Sequence, residues 1–363
     1  MSAVIPAAVL AGQLDLAAAL SKVRAKAGMA GVDGMGTDRY ARGFALIGSG
    51  AICRLLQPDY RPDPLRAAEL VKKNGSLRLL LIPTVADRVL QTATAAWLAR
   101  KWNPGFDAAS FAYRPGLGVA HALRALAEYR EAGFRWVLDA DLRNFFDSIP
   151  HDKLSARLTE DLGPAAAVGE WVQRWTAATV WDGEQVGRTT KGVPQGSPLS
   201  PLLANFYLDA FDRTLRRHSI PLIRYADDFL VLARTPFELT QMREIAEACL
   251  TSLGLELNGD KTRVTSFDQG FRFLGANITK GDILLPFAKT KSPKRPAWVA
   301  PTMGAPLLRA FRAGLLRCTT GWEWTPRSVP APATPATVHL AAGRWRPAGG
   351  EGSPLLEQLR RLK

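Results

Sequence analysis

The tetrapeptide Tyr225-Ala226-Asp227-Asp228 lies between two apolar runs, Leu222-Ile223-Arg224 and Phe229-Leu230-Val231-Leu232. Short β-prone runs flanking an acidic pair predict a β-hairpin with both carboxylates at its turn. Adjacent residues of a regular strand face opposite ways, so only a tight turn lets both carboxylates approach one centre. Carboxylates so placed repel, and a divalent cation is their natural counter-ion. A lone Asp-Asp pair would read as a solvated turn. This one is accompanied.

Upstream, Phe134 to Asp141 reads as a buried strand that delivers Asp141 to its end, with Phe145-Phe146 supplying apolar surface just beyond. Between the two acidic segments, Lys191 to Pro201 is a Gly/Pro-punctuated loop that runs into the helical pattern Leu202 to Leu208. Asn74-Gly75 is a strong hairpin-turn signal, and Thr84 with Asp87 can cap the helix that follows. Helices are expected over 7–27 and 117–132, and more weakly over 36–49. A strand is expected at 134–141, then two helices over 151–180 broken near Gly163-Pro164, and a loop and helix over 192–217. After the acidic hairpin come a helix from Phe237 to Leu253 and closing strands near 262–267 and 271–278. Strand, helices, hairpin, helix and strand form a split βαβ arrangement, and the fold class is α+β.

A chain of 363 residues that is 47% hydrophobic has room for a large core and two or three subdomains. No apolar run reaches the length of a membrane span, and the alanine-rich start lacks a basic signal region, so the expected setting is cytoplasmic without membrane contact. Cys53, Cys249 and Cys318 are scattered without metal-ligand spacing, and Cys249 shares an apolar helical face with Leu239, Met242 and Leu253, as a buried structural thiol would. The net charge of +14 implies a polyanionic partner. Residues 286–363 hold 13 Lys and Arg against 3 Glu, which is +10 of that total, together with Trp298, Trp322, Trp324 and Trp345. Basic residues interleaved with aromatics suit nucleic-acid binding; a Pro-rich solubilising tail is the alternative.

The ordered blocks DLRNFFDSI, GVPQGSPLSPLLAN, RYADDF, LNGDKT and FRFLG resemble the palm motifs of bacterial reverse transcriptases of the group II intron-like lineage. The resemblance runs from about Ala30 to Ile278. Gly31-Val32-Asp33-Gly34 resembles the family's amino-terminal element, and 72–78 with 82–88 resembles its fingers hairpin and following helix. The implied architecture is a right-hand polymerase: amino-terminal element and fingers over 1–133, a catalytic palm with inserted helices over 134–285, and a basic, short or atypical thumb or tail over 286–363.

By the same resemblance the chain is an RNA-directed DNA polymerase, a nucleotidyltransferase that takes an RNA template, a DNA or RNA primer and dNTPs. Two Mg2+ ions roughly 4 Å apart, replaceable by Mn2+, would activate the primer hydroxyl and absorb charge on pyrophosphate. Asp141, Asp227 and Asp228 are the implied catalytic carboxylates, and Asp141, Leu142, Asp227 and Asp228 the implied metal set. Asp139 is expected to be structural or to support the metal ligands from behind, and Asp147 to cap the helix near Pro150. Phe146 resembles the aromatic beneath the incoming sugar that excludes a ribose 2′ hydroxyl, with a core phenylalanine as the plain alternative. Gln195 and Gly196 resemble the nucleotide-contacting pair, Arg78 and Lys72 or Lys73 the triphosphate clamp, and Lys261 the lysine at the pyrophosphate.

The chain holds at most 78 residues after Leu285, and Cys318 with His339 cannot build a zinc endonuclease site. A complete role in intron mobility is therefore not expected. SFDQGFRFLG and RYADDFLVL look like reverse transcriptases of CRISPR adaptation, with integrase subunits as partners, and a phage-defence enzyme is the competitor. The other classes are a maturase-like RNA-binding protein and an RNA-dependent RNA polymerase.

Overall fold

The computed structural model describes residues 4–71, 77–284, 298–299 and 322–327. Lys72, Lys73, the Asn74-Gly75 turn and most of the basic tail lie outside the described residues. Two compact units emerge, each discontinuous in sequence. The first takes 4–71, 77–101, 144–203 and the strands Trp298–Val299 and Trp322–Arg327; the second takes 102–143 and 204–284.

The second unit is built on a four-stranded antiparallel sheet in the order Leu222–Tyr225, Asp228–Ala233, Trp136–Asp141, Arg263–Ser266. The sequence Phe229-Leu230-Val231-Leu232 is apolar throughout because both faces of its strand are covered. Leu230 and Leu232 point with Val137 and Ile223 to one face, where they meet Ala122, Leu123 and Leu126 of the helix Val119–Glu131 and the aromatic residues Phe267, Phe271 and Phe273. Phe229 points to the other face, its ring centroid 5.2 Å from that of Phe211 on the helix Ser200–Arg217. The helix Pro236–Ser252 starts on a complete capping box: the Thr235 hydroxyl accepts from the Glu238 N–H, and the Glu238 carboxylate accepts from the Thr235 N–H.

In the first unit, Leu65–Val71 and Leu77–Ile82 pair antiparallel from Val71 opposite Leu77 to Arg66 opposite Ile82, as the expected hairpin requires. The Thr84 hydroxyl accepts from the Asp87 N–H at 3.3 Å, the expected start of the helix Val85–Trp102.

Three expected elements are divided, the helix over 36–49 being two, Thr37–Arg42 and Phe44–Leu55, parted at Gly43. The helix over 7–27 is two, Ala7–Gly12 and Leu16–Ala25, because Asp15 accepts from the Ala18 N–H and caps a new start. The strand over 271–278 is a hairpin, Phe271–Phe273 and Ala276–Ile278, turned at Leu274 and Gly275 with φ of 48° and 84°. Among the described residues no helix is long and apolar enough to cross a membrane.

Candidate active site

Asp141 ends its strand directly opposite Asp228, which begins the neighbouring one. Asp228 also pairs with Tyr225 across the hairpin, leaving Ala226-Asp227 as a two-residue loop. Ala226 has φ of 61°, the left-handed backbone that tight hairpin loops use, and Arg224 Nη1 holds its carbonyl at 3.1 Å. The turn thus brings Asp227 and Asp228 to the end of the strand that carries Asp141, as the sequence implied. Like charges placed directly across a strand pair destabilise it. Asp228 is pushed up to about 7, first by loss of water around its carboxyl and then by Asp227 and Asp141.

Lys261 is the positive charge of this cluster. Its Nζ donates to Asp141 Oδ1 at 3.0 Å and Oδ2 at 2.9 Å. Asn258, three residues earlier, donates from Nδ2 to Asp141 Oδ1 at 3.2 Å and from its backbone N–H to the Asp141 carbonyl at 2.8 Å. Leu142 has a buried side chain, so its backbone carbonyl is the only oxygen it can offer a metal. Among the described residues no group of three or more His, Cys, Asp and Glu is arranged as a metal cage. Chemically the set still fits a hard divalent cation: its donors are all oxygen, and three carboxylates face one ammonium. Asp139, two residues back, accepts from Arg263 Nε at 3.0 Å and Nη2 at 2.8 Å, the structural role expected of it.

Behind the turn lies a network that sequence reasoning missed. Arg224 is buried, and it donates to Asp212 Oδ1 at 2.7 Å, Asn205 Oδ1 at 3.0 Å and Ser110 Oγ at 2.8 Å besides the Ala226 carbonyl. Its place in RYADD and that of Asn205 in LLAN were visible, but nothing local linked them.

The first unit carries a separate polar chain. Gln195 Oε1 accepts from Arg78 Nε at 2.7 Å, and Gln195 Nε2 donates to Asp147 Oδ2 at 2.9 Å. The Gln195 carbonyl accepts from the Leu81 N–H at 2.8 Å, and Gly196 has φ of 140° where a Cβ would lie 2.4 Å from the Leu81 carbonyl oxygen. A larger residue cannot make that approach. Asp147 is therefore not the expected helix cap: the helix His151–Leu162 has Pro150 at its N-cap with no side-chain bond, and Asp147 binds Gln195 instead. Phe146 is half-buried, set edge-on to the buried Phe145 at 5.5 Å, and its carbonyl accepts from the Val193 N–H at 2.6 Å. Arg78, Gln195, Gly196 and Phe146 thus share the first unit, Asp141, Leu142, Asp227, Asp228 and Lys261 the second. Lys72 and Lys73 lie outside the described residues. Cys249 is only half-buried, with burial pushing its thiol up.

Residues 70–278 match a family described as reverse transcriptase (RNA-dependent DNA polymerase). Protein YkfC of Escherichia coli K12 is 29% identical over 265 residues, covering 62% of this chain and 69% of that protein. Group II intron-encoded protein LtrA of Lactococcus lactis is 33% identical over 286 residues, covering 60% of this chain but only 47% of its own length. Among solved structures, a chain of a partial Cas6-RT-Cas1–Cas2 complex matches with 28% identity and a TM-score of 0.41, covering 66% of this chain and 40% of that one.

Proposed function

Because the chain belongs to the reverse transcriptase family, we propose that it is an RNA-directed DNA polymerase, joining a primer 3′ hydroxyl to the α-phosphate of a deoxynucleoside triphosphate. The observation that carries this reading is the meeting of Asp141 and Asp228 across one strand pair, with Asp227 in the adjoining turn. Asp141, Asp227 and Asp228 would hold Mg2+, which when bound activates the hydroxyl and offsets charge on the leaving pyrophosphate. Lys261 orients Asp141 and adds positive charge beside it. Arg78, braced at Nε by Gln195 and through it by Asp147, offers its guanidinium to triphosphate oxygens. Phe146, half-buried in the first unit, is our candidate for the aromatic that would disfavour a ribose 2′ hydroxyl.

Asp227→Ala tests the assignment. Mg2+-dependent DNA synthesis on an RNA template should vanish while RNA binding survives, since a metal ligand is lost and the basic surface is not. Normal synthesis by this variant overturns the reading. The blocks RYADDFLVL and SFDQGFRFLG support a role in CRISPR spacer acquisition from RNA, with integrase subunits as partners. In cells carrying such an integrase, RNA-derived spacers should then disappear with the same substitution.

A further inference from the structure

Within the first unit, segments 146–151 and 191–195 are tied together along their length. Pro150 and Lys191 form an antiparallel bridge, the Gly192 N–H donates to the Ile149 carbonyl at 2.7 Å, and the Val193 N–H donates to the Phe146 carbonyl at 2.6 Å. At the far end Gln195 Nε2 donates to Asp147 Oδ2 at 2.9 Å, which brings the loop back to its starting partner. Gly192 has φ of 90°, and a Cβ there would lie 2.9 Å from both the Asp147 Cα and the Phe146 carbonyl oxygen, so the two backbones touch. A shift of Gly192 is therefore felt at Phe146 on one segment and at Gln195 on the other.

Backbone bonds of this kind form with almost any sequence, but one tie belongs to a side chain. Gly192 is buried, and its carbonyl oxygen lies 2.7 Å from His151 Nε2. A carbonyl only accepts, so Nε2 carries the proton and donates. Burial lowers the pKa of the ring, which favours the neutral imidazole in this tautomer. His151 opens the helix His151–Leu162, whose Leu154, Leu158 and Leu162 are buried. The tie thus runs from a packed helix to the loop, and a buried carbonyl deprived of its donor must move or draw in water.

We propose that His151 is a positioning residue for the incoming nucleotide: by holding the Gly192 carbonyl it fixes the spacing between Phe146 and Gln195, the two groups on these segments that would meet that nucleotide. The inference rests on the polymerase reading above and adds a residue that touches neither substrate nor metal.

His151→Ala and His151→Gln separate this role from a structural one. In single-turnover addition of one deoxynucleotide to a saturating primer on an RNA template, His151→Ala should raise the half-saturating dNTP concentration about fivefold, the size of one lost hydrogen bond. The rate at saturating dNTP should hold, because the acidic centre is untouched. His151→Gln, whose amide N–H can take the place of Nε2–H, should restore the wild-type half-saturation. A merely structural tie would instead lower the amount of folded enzyme, and with it the amplitude of the reaction, at unchanged half-saturation. That result, or a raised half-saturation that His151→Gln does not restore, overturns the proposal. Failure of the polymerase reading shows separately, as absence of DNA synthesis by the wild-type chain with Mg2+ and dNTPs.

Discussion

Arg224 and Asp228 stand on the same hairpin, yet their charges are treated in opposite ways. The Arg224–Asp212 pair is 1% and 0% exposed, and the guanidinium meets Asp212, Asn205, Ser110 and the Ala226 carbonyl. At the other end, three carboxylates gather around Lys261, and Asp228 is held well above the usual carboxylate range. A buried charge is tolerable when every hydrogen-bonding direction is met. One left short of counter-charge keeps an appetite for a cation. The hairpin thus joins a satisfied anchor to an unsatisfied working end, and the anchor holds the turn in a backbone conformation it would not choose.

The largest effect should come from breaking the anchor. Arg224→Ala leaves Asp212 buried without its partner, a loss of about 3–5 kcal/mol, enough to prevent the second unit from folding stably. Asp228→Asn should do the reverse: by removing one of three crowded charges it should melt at or above the wild type while losing DNA synthesis. Thermal melts beside primer extension read both. If Asp228→Asn loses as much stability as Arg224→Ala, the two ends are alike and the contrast fails.

The two ends also differ in how they show in the sequence. The working end is local: an acidic pair between apolar runs predicts its own turn, and the strand pattern before Asp141 predicts its place at a strand end. The anchor is assembled from Ser110, Asn205, Asp212 and Arg224, and no spacing rule connects residues so far apart. The same reason hid Asp147, whose proximity to Pro150 suggested a cap while its actual partner, Gln195, comes from a distant loop. The short strands Val180–Trp181 and Val186–Thr189 escaped notice because two and four residues give too little period to read; the first exists by pairing with Leu65 and Arg66, and the second by pairing with the first. Consecutive segments could not show that 144–203 packs with the amino-terminal residues.

A carboxylate in the first unit lies between the two extremes and sharpens the comparison. Asp87 is buried and accepts from the Tyr60 hydroxyl at 2.9 Å, the Thr84 hydroxyl at 3.1 Å and the Asp63 N–H at 3.2 Å, while Trp175 Nε1 donates to the Tyr60 oxygen at 2.8 Å. Neutral donors replace the missing cation, and Arg54 pairs instead with Asp63. Burial first, then the charge of Asp63, pushes Asp87 up to about 6. A folded value above the ordinary 3.8 favours the protonated form on folding. The stabilisation is therefore full below about pH 4 and lost as pH rises through about 6, at most about 3 kcal/mol. In melts across that window Asp87→Asn should flatten the decline. An unchanged slope would place the titrating group elsewhere.

The smallest effect belongs to the third ion pair, Arg263 with Asp139, on the same sheet as the other two. Arg263 is 57% exposed, so water screens its charge and competes for its hydrogen bonds, unlike those of Arg224. Arg263→Ala should lower stability by less than about 1 kcal/mol. DNA synthesis should be little changed, because Asp139 supports the strand and Lys261 and Asn258 orient Asp141 without it. Single-turnover extension at saturating primer is the decisive measurement. A large drop in its rate with normal melting would move Asp139 from the scaffold into the acidic centre, and the line between anchor and working end would then run through the strand Trp136–Asp141 itself.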